Sequence, residues 1–159
     1  MATRRLKDEL KKRLPFDSLE QEASLNLART ADRHNIAFAR LFREYGLTSS
    51  QYNVLRILRG EGGPLPILEV AGRMVAAVPG ITGLVDRLEA MGLVCRDRST
   101  EDRRVVFASI TPRGTALLGR LDRPVAELHG RLLGHLSKAD LAELIRLLEM
   151  ARQVDGDAD

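Results

Sequence analysis

The sequence predicts a mainly α-helical fold with one small β-hairpin. Three observations predict it. Apolar residues recur every three or four positions along most of the chain. Helix-start signals, such as Ser or Thr with Gln or Asp three residues on, stand before several of these runs. The period changes to two only once, between Leu93 and Ile110. The 159 residues allow one domain with an appendage, and 44% hydrophobic residues allow a sizeable core. Leu, Val, Ile and Ala must fill that core, because aromatics are 4% and Trp is lacking.

The first helix is expected from Ser18, which has capping-box spacing to Gln21 and follows the helix-breaking Pro15. Leu27, Ala31, His34, Phe38, Leu41 and Tyr45 make one face, and Gly46 ends it. Thr48 and Gln51 repeat the capping spacing, with Leu47 and Tyr52 placed as a hydrophobic staple. Val54, Leu55, Ile57 and Leu58 carry that helix to Gly60, and "GEGGPLP" is a loop. Pro66 suits the first turn of a short third helix, whose inward residues are Ile67, Val70, Ala71 and Met74. Pro79 suits the start of a fourth, with Ile81, Leu84, Val85, Leu88 and Met91 buried and Gly92 as its stop. Its other face shows Gly80, Thr82, Gly83, Asp86 and Arg87. Two short helices, a tight link and a polar leading face follow helix-turn-helix logic.

The alternation after Gly92 sets Val94, Arg96 and Arg98 on one side and Leu93, Cys95 and Asp97 on the other. The returning strand carries Val106, Ala108 and Ile110, and Ser99 to Arg103 join the two. Thr111 and Pro112 then open a fifth helix. Its stripe of Leu117, Leu121, Val125, Leu128 and Leu132 passes through Pro124, so a kinked single helix is expected. Ser137 and Asp140 cap a sixth, with Leu141, Leu144, Ile145 and Leu148 on one side.

Charge is uneven. Residues 1–14 hold six Lys/Arg against two acids, and 155–159 hold three Asp, within a net charge of +3. The basic arm is either a solvated, partly helical segment or a phosphate-touching one. Its opening "MATRRLKDELKK" has no apolar core of a signal peptide, and no run approaches the roughly 20 apolar residues of a membrane span. A cytoplasmic protein with no membrane partner is expected. A single cysteine excludes an internal disulfide framework and a multi-Cys zinc site. His34, His129 and His135 have no acidic or Cys companion at ligand spacing, so no metal is expected. No nucleophile elbow, P-loop, His-Glu-x-x-His or dinucleotide fingerprint occurs, so no enzyme and no cofactor are expected.

"LTSSQYNVLRIL", "ITGLVDRLEAMGLVCRDRSTEDRRVVFASITPRG" and the terminal helices resemble the multiple-antibiotic-resistance regulator (MarR) family. The likeness covers about residues 18 to 152. It implies a winged helix-turn-helix with N- and C-terminal dimerisation helices. The implied function is a homodimeric DNA-binding regulator, usually a repressor of a pseudo-palindromic operator, with many members released by a small phenolic or aromatic anion. A winged-helix module that binds protein instead of DNA is the alternative. The implied layout is a basic arm over 1–16 and a dimerisation region over 17–46 and 112–152. The DNA-binding domain spans 47–111, and an acidic tail occupies 153–159.

The same resemblance assigns the site. The recognition helix would contribute Pro79, Gly80, Thr82, Gly83, Asp86 and Arg87 to DNA. Gly83 departs from relatives that carry a larger polar residue, and serves either close approach to DNA or packing on a neighbouring helix. The wing would contribute Arg96, Arg98, Ser99, Asp102, Arg103 and Arg104. Arg104 takes the family's minor-groove position, where narrow grooves concentrate negative potential. Asp102 is placed to hold the Arg104 guanidinium, and Arg96 and Arg98 to reach phosphates. A small aromatic effector would meet Arg33, His34, Phe38, Phe42 and Tyr52, unless those residues are simply core. Cys95, on the side of Leu93, is expected to be a buried structural thiol.

Overall fold

The computed structural model describes residues 5–102 and 104–153. Two compact units appear, residues 1–49 and 50–159, dividing at the first residues of one helix. The first unit holds α1 (Leu6–Glu9) and α2 (Leu19–Glu44). The second holds nearly all of α3 (Ser49–Glu61), then β1 (Leu65–Pro66), α4 (Ile67–Gly72), α5 (Ile81–Ala90), β2 (Val94–Arg98), β3 (Val106–Ile110), α6 (Pro112–Leu133) and α7 (Lys138–Ala151). Arg103 and the tail from residue 154 lie outside the described residues, so the expected acidic tail is not described beyond Gln153.

In the first unit, Ser18 caps α2 by accepting the Gln21 N–H at 3.1 Å. The return bond expected of a capping box goes one residue earlier, from the Asp17 N–H to Gln21 Oε1 at 2.9 Å. α2 closes with the Gly46 and Leu47 amides donating to Arg43 and Phe42 carbonyls, both at 3.0 Å, the two-bond pattern of a glycine-terminated helix. Glu9 of α1 takes Arg29 and Arg33 of α2 at 3.5 and 3.1 Å. Of the expected stripe along α2, Leu27 and Ala31 are exposed and His34, Phe38, Leu41 and Tyr45 are half-buried, and Leu19, Leu25 and Ile36 outside it are exposed as well.

The second unit is built around Val54, Leu55 and Leu58 of α3, Val70 of α4, Val85 and Leu88 of α5, and Leu118 and Leu121 of α6, all at or near zero exposure. Burying each such side chain contributes about 1.5–3 kcal/mol relative to leaving it in water. Leu118, not the expected Leu117, is the fully buried residue in that turn of α6. α6 runs unbroken through Pro124. On α7 the capping box forms in full, with Ser137 and Asp140 exchanging bonds of 3.1 and 3.3 Å. No residue of α7 is buried, and Ile145, Leu147 and Met150 are exposed.

The hairpin is one side of a three-stranded antiparallel sheet in the order β1-β3-β2. The extra strand pairs Leu65 with Ala108 and Pro66 with Phe107. Pro66 therefore precedes α4 rather than lying within it, and α4 ends at Gly72, short of Met74. Arg96 lies opposite Ala108, and Arg98 opposite Val106. Cys95, on the outer strand β2, pairs with Ser109 of the central strand and is exposed, which corrects the expected buried thiol. The physical reason lies at Leu93. Its amide closes α5 by donating to the Leu88 carbonyl at 3.0 Å, so strand alternation begins only at Val94, and Leu93 and Val94 are both buried.

Candidate nucleic-acid interface

α4 and α5 form the helix-turn-helix pair. α5 starts two residues later than expected, because Gly80 takes a left-handed conformation (φ 74°) as its N-cap, and Pro79 lies ahead of the helix. That conformation carries little steric cost only for glycine. The linking turn is tied to α3 by the Val75 N–H, which donates to Asn53 Oδ1 at 3.2 Å. Asn53 was not singled out in the sequence, since nothing local marks a side chain that serves a turn 22 residues away.

The buried face of α5 is Ile81, Leu84, Val85 and Leu88. Pro79, Gly80, Thr82, Asp86 and Arg87 are exposed beside it, and Gly83 is half-buried. A Cβ built on Gly83 would meet only Arg87 Nη1, at 3.9 Å. Within the described residues, then, no packing contact requires glycine there.

Behind α5, Gly92 (φ 70°) turns the chain into β2. The joint to α6 is tight. Thr111 Oγ1 donates to the Gly92 carbonyl at 2.8 Å, the Thr111 amide donates to the Leu93 carbonyl at 3.0 Å, and Thr111 Oγ1 accepts the Gly114 N–H at 3.1 Å. A Cβ on Gly114 would overlap the Leu93 carbonyl oxygen and lie 2.7 Å from Ile110 Cγ1. Thr111 and Gly114 thereby seat the wing on the long helix.

The wing tip is folded by its polar residues. Ser99 Oγ accepts the Glu101 and Asp102 amides, each at 3.2 Å, and the Ser99 and Val105 amides close the loop at 2.9 Å each. Asp102 Oδ1 accepts the Arg104 N–H at 2.9 Å. Short polar side chains commonly cap tight turns in this way. The expected pairing of Asp102 with the Arg104 guanidinium is corrected: the carboxylate holds that residue's main chain, and Arg104 is exposed. Among the described residues Arg87, Arg98 and Arg104 are exposed and take part in no ion pair, and Arg103 is outside those residues.

Arg96 differs. Its Nε donates to Glu89 Oε2 at 2.8 Å, its amide to Glu89 Oε1 at 3.2 Å, and its Nη1 pairs closely with Asp86 Oδ1. The hydrogen bond from Arg96 holds the Glu89 carboxyl below the usual carboxylate range, and Glu89 in turn raises Arg96. Glu89 was missed in the sequence because the Gly92 turn separates it from its partner.

The suggested effector residues divide between the two units. In the first, the Phe38 and Phe42 rings stack 5.8 Å apart at 29°, His34 is half-buried, and the exposed Arg33 is engaged by Glu9. In the second, Tyr52 is half-buried, and burial raises its phenol.

Among the described residues no helix is long and apolar enough to cross a membrane.

The family model described as MarR family matches residues 47–106. The chain is 45% identical to a MarR transcription factor of known structure from Planctomyces limnophilus, over 86% of this chain and 99% of that one, with a TM-score of 0.67. It is 33% identical to the HTH-type transcriptional repressor IacR of Pseudomonas putida, over 78% of this chain and 74% of the relative. It is 25% identical to BpsR of Bordetella bronchiseptica, whose DNA binding is regulated by 6-hydroxynicotinic acid, over 89% and 100% of the two chains, with a TM-score of 0.77.

Proposed function

The chain belongs to the MarR family of transcriptional regulators, and we propose that it acts as a homodimeric repressor gripping a pseudo-palindromic DNA operator. It is a regulator and not an enzyme. The observation that carries the proposal is the set of outward guanidinium groups, Arg87 on α5 and Arg98 and Arg104 on the wing, that no acid of the described residues neutralises. Unpaired arginines on a helix-turn-helix and its adjoining hairpin suit a duplex whose phosphates and groove edges carry negative potential.

On this reading α5 enters a major groove. Thr82 and Arg87 meet base edges or phosphates there, and Gly80 and Gly83 let its backbone come close. Arg104, with Arg103 beside it, enters the flanking minor groove, and Ser99 and Asp102 keep the loop that presents it folded. A two-fold dimer sets two such helices about 34 Å apart, one turn of duplex. The exposed apolar residues of α2 and α7, among them Leu27, Ile36, Ile145 and Leu147, support pairing through 17–46 and 112–152. Repression rather than activation is drawn from the likeness to the repressor IacR.

An aromatic anion is the proposed effector, by likeness to the relative regulated by 6-hydroxynicotinic acid. Its carboxylate would compete with Glu9 for Arg33. Such a ligand moves DNA affinity only as far as it binds one protein geometry better than the other.

Selecting bound fragments from random duplex DNA with the purified protein tests the reading. Enriched sequences with two inverted half-sites about one helical turn apart support it. Enrichment of nothing, at low salt, refutes it.

A further inference from the structure

The guanidinium of Arg96 stands at the junction of recognition helix and wing, where a phosphate contact is the simplest expectation. Its surroundings argue otherwise. Glu89 accepts a hydrogen bond from the guanidinium Nε at 2.8 Å and another from the Arg96 backbone amide at 3.2 Å, and Asp86 accepts one from the guanidinium Nη1. Its side chain is 30% exposed, less than that of either acid. A planar guanidinium offers five donors in a fixed fork, suited to joining two carboxylates on one helix to the strand that carries it. Among the described residues Arg87, Arg98 and Arg104 are exposed and have no such acids, which suits them to meet DNA on this reading.

The acids also need explaining. Asp86 and Glu89 lie one helical turn apart on α5, near a surface proposed to meet a polyanion. Left unpaired, they would repel phosphate. With Arg96 between them, three charges sum to −1 and their geometry is fixed.

We propose that Arg96 is a positioning residue: by holding Asp86 and Glu89 it sets the recognition helix against the wing and masks the helix's acids, without itself binding phosphate. This rests on the DNA-binding reading above, and it makes a prediction opposite to that of a phosphate ligand. A phosphate ligand released from Glu89 would bind DNA better, since a negative charge is lost and a cation is freed. A positioning residue deprived of Glu89 leaves the helix less well placed, and binding weakens.

The test measures binding of a duplex selected by the wild-type protein, over a range of salt, with Arg96→Ala, Arg96→Lys, Glu89→Ala and the double variant Arg96→Ala/Glu89→Ala. We expect Arg96→Ala and Glu89→Ala each to weaken binding about tenfold, the order for a displaced recognition contact. The double variant should be no worse than either single one, because both remove one interaction. Arg96→Lys keeps the charge but loses the fork, and should fall with Arg96→Ala. The slope of log affinity against log salt should stay at the wild-type value. Tighter binding by Glu89→Ala, or a slope smaller by about 0.9 per half-site in Arg96→Ala, would overturn the proposal.

A second readout needs no DNA. The Arg96 amide donates to the Glu89 carboxylate, so its hydrogen exchange in free protein should quicken in Glu89→Ala while the amides of α3 keep their rates. An unchanged Arg96 amide overturns the clamp itself. A wild-type protein that ignores all duplexes overturns the DNA reading, and the role of Arg96 with it, even where the exchange result shows the clamp intact.

Discussion

Replacing Gly83 by Ala separates the stability of the fold from its fit to DNA. Gly83 is the third residue of α5 and does not have the positive φ that favours glycine. The added methyl would touch only Arg87 Nη1, at the ordinary distance of 3.9 Å. With no clash to offset, the helix gains the Ala-over-Gly preference, about 0.4–1 kcal/mol, part of it from a less disordered unfolded chain. In a chain of this size 1 kcal/mol raises Tm by about 2–4 °C. If α5 approaches a groove through its glycines, the same methyl intrudes on that contact. Overfilling a close-packed interface costs about 1–3 kcal/mol, or roughly five- to 150-fold in affinity. Urea unfolding reads the first effect and fluorescence anisotropy with a selected duplex reads the second. A variant that is more stable and binds more weakly bears out the placement. Equal or tighter DNA binding refutes the close approach, and a loss of stability refutes the absence of packing at that site.

Three further outcomes are expected. Gly114→Ala should destabilise the fold by about 1–3 kcal/mol in urea unfolding, because its Cβ overlaps the Leu93 carbonyl and forces α6 away from the wing; a stabilised variant would contradict that joint. Arg104→Ala should weaken operator binding by about 1–3 kcal/mol with unfolding unchanged, and an unaltered binding curve at matched salt would remove the residue from the groove. Arg59 holds Asp122 through two bonds of 3.0 and 2.7 Å and keeps that carboxyl below its usual range. A carboxyl depressed in the folded state contributes stability above its unfolded value of about 4 and loses it as the pH falls through the lower folded value. Both partners are partly exposed, so Asp122→Asn should cost no more than about 1 kcal/mol at pH 7 and progressively less as the pH falls below about 4; a loss that does not shrink at acid pH would contradict the pairing.

Where a feature depended on neighbours in sequence, the residues announced it. Ser18, Thr111 and Ser137 cap their helices because a cap needs only the next three residues. The recognition helix and hairpin were legible because period 3.6 gives way to period 2 across a single glycine. Contacts between distant residues were not legible. The strand Leu65–Pro66 is two residues long, too short for any alternation, and exists because Ala108 and Phe107 pair with it. The start of α5 shifted because a left-handed Gly80 outweighed the helix-opening preference of Pro79. The wing arginines were recognisable as a group, but the separation of the exposed Arg98 and Arg104 from the clamped Arg96 depends on Glu89 and Asp86 across a turn.

Hydroxyl-radical footprinting of the wild-type protein on a selected duplex tests the central claim most directly, since it reads each groove along the site. Two equivalent protected regions about 34 Å apart, each flanked by a protected minor groove that Arg104→Ala re-exposes, are the predicted pattern. A single protected region, or flanks that stay protected without Arg104, would contradict a symmetric pair of helices with arginine-tipped wings.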